Sequence, residues 1–507
     1  MRVRDAVVWE GQRMRLAARL DRDNLPADCS HPMMAGSNIR YEIAAGIQAM
    51  PCGGIGLVHE MVRALGLAGS IDERVHVFKR HFPYHESDHV LNLAYNVLCG
   101  GTRLEDLERL RSNEAYLNTL GCDRVPDPTT AGDFLRRFDE GRGMELMGAT
   151  NAARVKVWKK LSKKERALAR IDVDGTIAPT TGECKEGMDI SYKGIWGYAP
   201  LVVTLASTQE VLFVKNRSGN APSHSGAEVY MDAAVALVRH GGFRRVRLRG
   251  DTDFSLTAHF DRWTEQAVEF VFGMDAHRNL VELADGLSDK DFSPLRRSTP
   301  ALAGRPRRRP QNVKEIIVNE RGYEKLILEE EHVAEVAYQP HKCRRSYRLI
   351  ILRKKIRVER GQQHLFDQIR YLFYITNVRA DALPPAAVVF EANERCNQEN
   401  LIEQLKNVKN GVEALRMPAD GLVSNWAYAV IATLAWNLKI WLSILVPKRL
   451  VRDVRRMEYR RFLQSVMLVP CQVLRTARQM VLRILTYTPW AELLCSGTQY
   501  FHRWRTT

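Results

Sequence analysis

The stretch RIDVDGTIAP, Arg170–Pro179, closes an apolar run on two aspartates set two apart and followed by Gly-Thr. On a strand, residues i and i+2 point to the same face, so Asp172 and Asp174 stand side by side. Neighbouring carboxylates repel unless a cation or a shared proton lies between them. The stretch therefore asks for a cation, or for a carboxyl used as a nucleophile beside a carboxyl used as an acid.

Working outward, the apolar pattern around these acids has strand period. ALARIDVD, APLVVTLAS and EVLFVKN read as consecutive strands rich in Val, Ile and Leu. GAEVYMDAAVALVRHGG reads as a helix ended by Gly-Gly, RRVRLRGD as a strand ending on Asp251, LTAHFDRWTEQ as a helix, and AVEFVFGMD as a further strand. The early strands can pair antiparallel through short turns, whereas the later ones need helical crossovers. That mixed α/β order fits a ribonuclease H-like core.

The remainder of the 507 residues divides around that core. Residues 1–160 read as mainly helical, with GLVHEMVRALGL and DHVLNLAYNVLCGG showing three- and four-residue apolar spacing. This head is either a DNA-binding unit or a scaffold. Residues 161–275 hold the first part of the core. Residues 276–380 read as a basic, β-rich insertion with KEIIVN, KLILEE, SYRLIILRKKIRV and IRYLFYITNV as its strand-like pieces. Residues 381–450 complete the core with a helix from Glu391 ended by Gly411, and 451–507 form a basic helical tail. The apolar stretch Leu422 to Val446 carries Asn425, Asn437 and Lys439, which marks a buried helix rather than a membrane span.

Charge is unevenly placed. The chain carries 75 Lys+Arg against 59 Asp+Glu, a net +16. Residues 296–360 hold 18 basic against 8 acidic residues, and residues 448–507 hold 12 against 3. These blocks, with RPRRRP between 305 and 310, suit a polyanion, and double-stranded DNA fits better than a membrane. Arg307, Arg308, Arg309, Arg344, Arg345, Lys354 and Lys355 are the candidate phosphate contacts. The nine cysteines contain no C-x-x-C pair, which argues for a reducing cytoplasm over a disulfide or zinc framework.

Asp251 ends a strand as Asp174 does, and converging strand-end carboxylates suit magnesium. The helix from Glu391 then carries Arg395, Glu399 and Lys406. This spacing resembles the tyrosine-arginine-glutamate-lysine signature of DDE transposases in the IS-four-like superfamily of bacterial insertion sequences, with Ala392 at the tyrosine position. The succession DVDGT, KGIWGYAPL, KNRSGN and LRGDTDF is similar to the insertion-sequence thirteen-eighty branch, as are GGTRLEDLERLR and PDPTTAGDFLRRF. Asp253 stands where that family usually has a small residue.

The resemblance implies a ribonuclease H-like core interrupted by a β-rich insertion. It implies a catalytic and metal-binding triad of Asp174, Asp251 and Glu399, supported by Asp172, Arg395 and Lys406, with two Mg2+ or Mn2+ ions. It implies cutting of transposon ends and joining of the 3′-hydroxyl to target DNA, by a homo-oligomer, a dimer on paired ends, in the bacterial cytoplasm. Three alternatives compete. DVDGT also fits the D-x-D-G-T opening of haloacid-dehalogenase-like phosphatases, with Asp172 as nucleophile and Asp174 as acid. Against it stand Arg170 in the preceding strand and Ser255 where a second late aspartate belongs. HESDH, His85–His89, fits the zinc-protease pattern but lacks a third ligand. The last alternative is a transposase-derived DNA-binding protein that no longer cuts.

Overall fold

The apolar runs on either side of Asp174 assemble as neighbours in one sheet. The computed structural model describes all residues except 22–33, 35, 81–82, 298–310, 361–362, 408–410, 452, 477–478 and 507. β1 (Leu168–Gly175), β2 (Leu201–Leu205), β3 (Glu210–Lys215), β4 (Arg245–Gly250) and β5 (Val268–Met274) lie in the order β5-β4-β1-β2-β3. β1 runs antiparallel to β2 and parallel to β4, with Asp172 opposite both Thr204 and Arg249. β2 is antiparallel to β3, and β4 parallel to β5. The chain crosses from β3 to β4 through α1 (Ala227–His240), whose Ala227, Met231, Ala234 and Val238 are buried at helical spacing. It reaches β5 through the short helix Phe260–Glu265. The acids thus leave the sheet from adjacent parallel strands, where strand ends converge.

The basic, β-rich segment continues this sheet. β6 (Glu324–Tyr338), β7 (Tyr347–Arg360) and β8 (Gln363–Thr376) are antiparallel, and Phe373–Thr376 of β8 pairs with Val271–Met274 of β5. With Ser293–Pro294 the sheet reaches nine strands. Leu349, Ile350, Ile351 and Leu352 of β7 are buried, while Leu326, Leu328, Phe366 and Ile369 toward the far end are exposed. KEIIVN, expected as a strand, is instead part of the helix Val313–Glu320. Asn312 caps it by accepting from the Glu315 N–H.

α2 (Pro385–Asn393) and α3 (Cys396–Lys406) follow, where the sequence pointed to one helix. The break at Glu394–Arg395 lets Glu391 turn under the sheet while Glu399 turns toward its strand ends. α4 (Leu422–Leu445) is long and apolar enough to cross a membrane, yet 94% of its apolar window is buried inside the fold. Its polar atoms cover the open edge of β3. Asn437 both accepts from Val211 N–H and donates to Val211 carbonyl at 3.0 Å, and the Trp426 indole donates to Val214 carbonyl at 2.6 Å. A sheet edge that would otherwise be open is closed by side chains.

The helical head is fastened to this core through Glu210, which is fully buried. Its carboxylate accepts from Arg154 at 3.1 Å, Trp158 at 2.8 Å and Trp441 at 2.7 Å. The C-terminal region is not wholly helical. Cys471–Arg475 pairs with Met480–Ile484 and with Gln48–Met50 of the head, before the helix Ala491–Thr506. The short alternating apolar run CQVLR has strand period, and that period was obscured by its basic surroundings.

Candidate active site

Asp174 is the last aspartate of β1, and its side chain is 15% exposed. Asp251 follows directly on β4 and is 38% exposed. Gly250 makes this placement possible, since a Cβ there would stand 2.6 Å from Cβ of Phe254, in the turn that Asp251 caps by accepting from Asp253 N–H at 3.1 Å. Glu399 lies in the first turn of α3, 59% exposed. Arg395, itself 15% exposed, reaches all three: Nη1 donates to Asp174 Oδ2 at 3.0 Å, and Nη2 lies 3.7 Å from Asp251 Oδ2 and 3.9 Å from Glu399 Oε1.

These environments set the acidities. Burial pushes the Asp174 carboxyl up to about 6, with Arg395 opposing and Asp251 adding to the rise. Asp251 is also raised, first by burial and then by Asp253 and Asp275, against Arg395. Burial lowers Lys406, at the far end of α3, and Lys193 lowers it further, while Glu403 raises it. Thus Asp253, the additional acid, acts on Asp251 through its charge and its backbone N–H.

Asp172 has a different place. It is 1% exposed, and Arg249 donates Nε to Oδ1 at 2.6 Å and Nη2 to Oδ2 at 2.8 Å. A carboxylate so enclosed has no oxygen open for nucleophilic attack or for an open metal site, which weighs against the phosphatase reading. Arg249 also donates to the Glu391 carbonyl at 2.9 Å. The Glu391 carboxylate meets Arg170 at 2.6 Å, Arg247 at 3.1 Å and Arg249 at 3.4 Å. Burial raises Glu391, but these arginines outweigh it and the carboxyl is lowered overall. Gln398 donates to the carbonyls of Asp172 at 3.0 Å and Val202 at 3.2 Å, seating α3 on the sheet beside Glu399.

Arg249, Glu391 and Gln398 escaped the sequence reading. A signal existed: Arg245, Arg247 and Arg249 alternate on β4, so one face of a central strand carries positive charge that must find partners.

The described members of the proposed phosphate contacts, Arg344, Arg345, Lys354 and Lys355, lie just before and on β7. Arg307, Arg308 and Arg309 fall outside the described residues. Arg345 pairs with Glu265 at 3.3 Å, Lys354 with Glu331 at 3.4 Å, and Lys355 with Glu329 and Asp367 at 3.6 Å. Arg344 donates its backbone N–H to Asp261 at 2.7 Å. The HESDH histidines form no ligand pair. His89 is buried and stacked 4.4 Å from Phe134, burial lowers it to about 4, and Glu86 accepts from the backbone of Val77 and Phe78.

Among the described residues, no group of three or more His, Cys, Asp or Glu is gathered closely enough to form a ready metal cage. The donor chemistry nevertheless suits a hard divalent cation. Asp174 and Asp251 offer carboxylate oxygens to one shared cation, Arg395, and Glu399 borders it.

Residues 32–506 match the family described as Transposase DDE domain group 1. No curated protein matches the chain. Among solved structures, piggyBac transposase in its synaptic complex with hairpin DNA, determined by cryo-electron microscopy, is similar at 10% identity and a TM-score of 0.35. The match covers 83% of this chain and 81% of that one.

Proposed function

The chain belongs to the Transposase DDE domain group 1 family, and from that premise we propose that it cuts the ends of its own mobile element and joins the freed 3′-hydroxyl to target DNA. We assign the element to the bacterial insertion sequences of the IS-four-like superfamily and the catalytic fold to the ribonuclease H-like class. The strand order β5-β4-β1-β2-β3, with only β1, β4 and β5 parallel, supports that class. The observation that carries the proposal is the meeting of Asp174, Asp251 and Glu399, from two strand ends and a helix, within 3.9 Å of one guanidinium.

Asp174, Asp251 and Glu399 would hold Mg2+ or Mn2+. Bound there, two such ions supply the activation of water or the 3′-hydroxyl and the stabilisation of the leaving oxygen. Arg395 offsets the mutual repulsion of the acids and presents donors to a DNA phosphate. Glu391 and Asp172, gripped by Arg249, fix α2 and β1 relative to β4. Lys406 adds a cation for the backbone of the cut strand. The basic arm and tail hold transposon ends through phosphate contacts. Assembly is a dimer on paired ends, and the site of action is the bacterial cytoplasm. Free cysteines among the described residues suit that compartment.

The test is a plasmid carrying the DNA that flanks the gene on both sides. Magnesium or manganese should support nicking at the element's ends, and calcium at most binding. End binding without nicking in any divalent metal would favour a non-catalytic DNA-binding descendant. Neither binding nor nicking would defeat both readings.

A further inference from the structure

Downstream of β1, a small hairpin presents large aromatic side chains to solvent. Asp189–Ile190 and Trp196–Tyr198 form the hairpin, and the second strand pairs with Ala178–Pro179, directly downstream of Asp174. The turn is closed by bonds from Ser191 N–H to Ile195 carbonyl at 2.9 Å and Gly194 N–H to Ser191 carbonyl at 2.8 Å, with Gly194 at φ 72°. It is therefore a built element. Its tip leaves Tyr192 82% and Trp196 54% exposed. The contrast with other tryptophans is informative. The indoles of Trp9, Trp158, Trp263, Trp426, Trp436 and Trp441 each donate a hydrogen bond. Among the described residues the Trp196 indole, like that of partly buried Trp490, has no such bond, and Trp196 is the more open of the two. Exposed aromatic faces on an ordered turn mark a contact surface.

Charge indicates what is contacted. Lys193 Nζ lies 5.3 Å from the Tyr192 ring centroid. The hairpin's partner strand Ala178–Pro179 follows closely on the Gly175 end of β1, so the hairpin belongs to the Asp174 end of that strand, and the Lys193 charge lowers Lys406 of α3. Lys406 is seven residues beyond Glu399, about 10 Å along a helix. Flat aromatic faces interleaved with lysines suit nucleobases attached to a phosphate backbone.

We propose that Tyr192 and Trp196 form a stacking platform for unpaired nucleotides of the cut DNA strand, with Lys193 and Lys406 contacting its phosphates. The platform rests on the transposase reading and adds to it a site for single-stranded DNA at the Asp174 end of β1. Bases in an intact duplex are stacked on one another and do not engage it.

The test compares binding of fluorescently labelled oligothymidine and of a fully paired duplex of equal length to the full chain. Trp196→Ala and Tyr192→Ala should each weaken oligothymidine binding about fivefold to a hundredfold and leave duplex binding nearly unchanged. Trp196→Phe should retain most of the affinity, and Lys193→Gln should lower the salt dependence by about one phosphate contact. Equal loss on both probes, or no loss on oligothymidine, overturns the platform. Unchanged oligothymidine affinity with loss of self-association in Trp196→Ala would assign the hairpin to a protein contact and overturn it too. Nicking of the element's ends by the wild-type chain separates these failures from failure of the transposase reading.

Discussion

Beneath the carboxylates, Arg249 and Asp172 are each 1% exposed and share hydrogen bonds of 2.6 and 2.8 Å. On the β6–β8 arm, Lys355 faces Glu329 and Asp367 at 3.6 Å with 45% of its side chain in solvent. Both regions are rich in arginine, lysine and acid, and burial makes them act differently. In the first, each charge is held by partners that water cannot replace, so the pairs fix backbone elements relative to one another. In the second, water reaches both members of the Lys355–Asp367 pair, and such a pair can yield to another anion with little loss. The floor therefore sets geometry, and the exposed pairs of the arm do not.

Breaking the floor gives the largest expected effect. Arg249→Ala leaves Asp172 buried without its partner and should destabilise the chain by about 3–5 kcal/mol, read by urea unfolding. A loss below about 1 kcal/mol would mean that the pair contributes no more than an exposed one. Glu391→Gln keeps the shape but removes the charge shared by Arg170, Arg247 and Arg249, and should cost about 2–3 kcal/mol. Its cleavage rate should fall more than its DNA affinity, because the substitution loosens α2 and not a DNA contact.

Asp174 sharpens the comparison in the opposite direction. Its carboxyl is raised by burial to about 6, whereas in the unfolded chain it lies near 3.9. Between about pH 4 and 6 the folded chain keeps a proton that the unfolded chain has released, so stability falls as pH rises through that window and stays reduced above it. In metal-free buffer at neutral pH, Asp174→Asn should therefore stabilise the chain by about 1–3 kcal/mol. The gain should vanish near pH 4, as measured by thermal unfolding across pH. Stabilisation that does not depend on pH would show that ionisation is not its cause. The smallest stability effect belongs to the arm. Arg345→Gln should leave the melting temperature unchanged, and if the arm holds DNA it should reduce the salt slope of binding by about one. An unaltered slope would place the DNA elsewhere.

The same contrast explains what could be read in advance. The strands β1 to β5 and the helix α1 were legible because each buries an apolar face at one clear period, and Asp174 and Asp251 stood at the ends of such strands, whereas Glu399 was singled out only by the Arg395-Glu399-Lys406 spacing inside a longer helix. The helix Val313–Glu320 was not legible, since Ile316, Ile317 and Val318 favour strands and only the Asn312 cap marks the helix start. The break at Glu394–Arg395 was hidden because no Gly or Pro marks it and the residues on both sides suit a helix. The arginine network was missed because each charge looks solvated when taken singly, and only sheet order brings Asp172 opposite Arg249. The basic count of residues 296–360 signalled an anion partner, yet it could not show that Arg345, Lys354 and Lys355 already face carboxylates.

The most direct test of the three-carboxylate site measures end binding and strand cleavage in the same magnesium reactions for the wild-type chain, Asp251→Asn and Glu399→Gln. The assignment predicts cleavage by the wild type, none by either variant, and end binding by all three at similar affinity. Cleavage at the wild-type rate by either variant would contradict it.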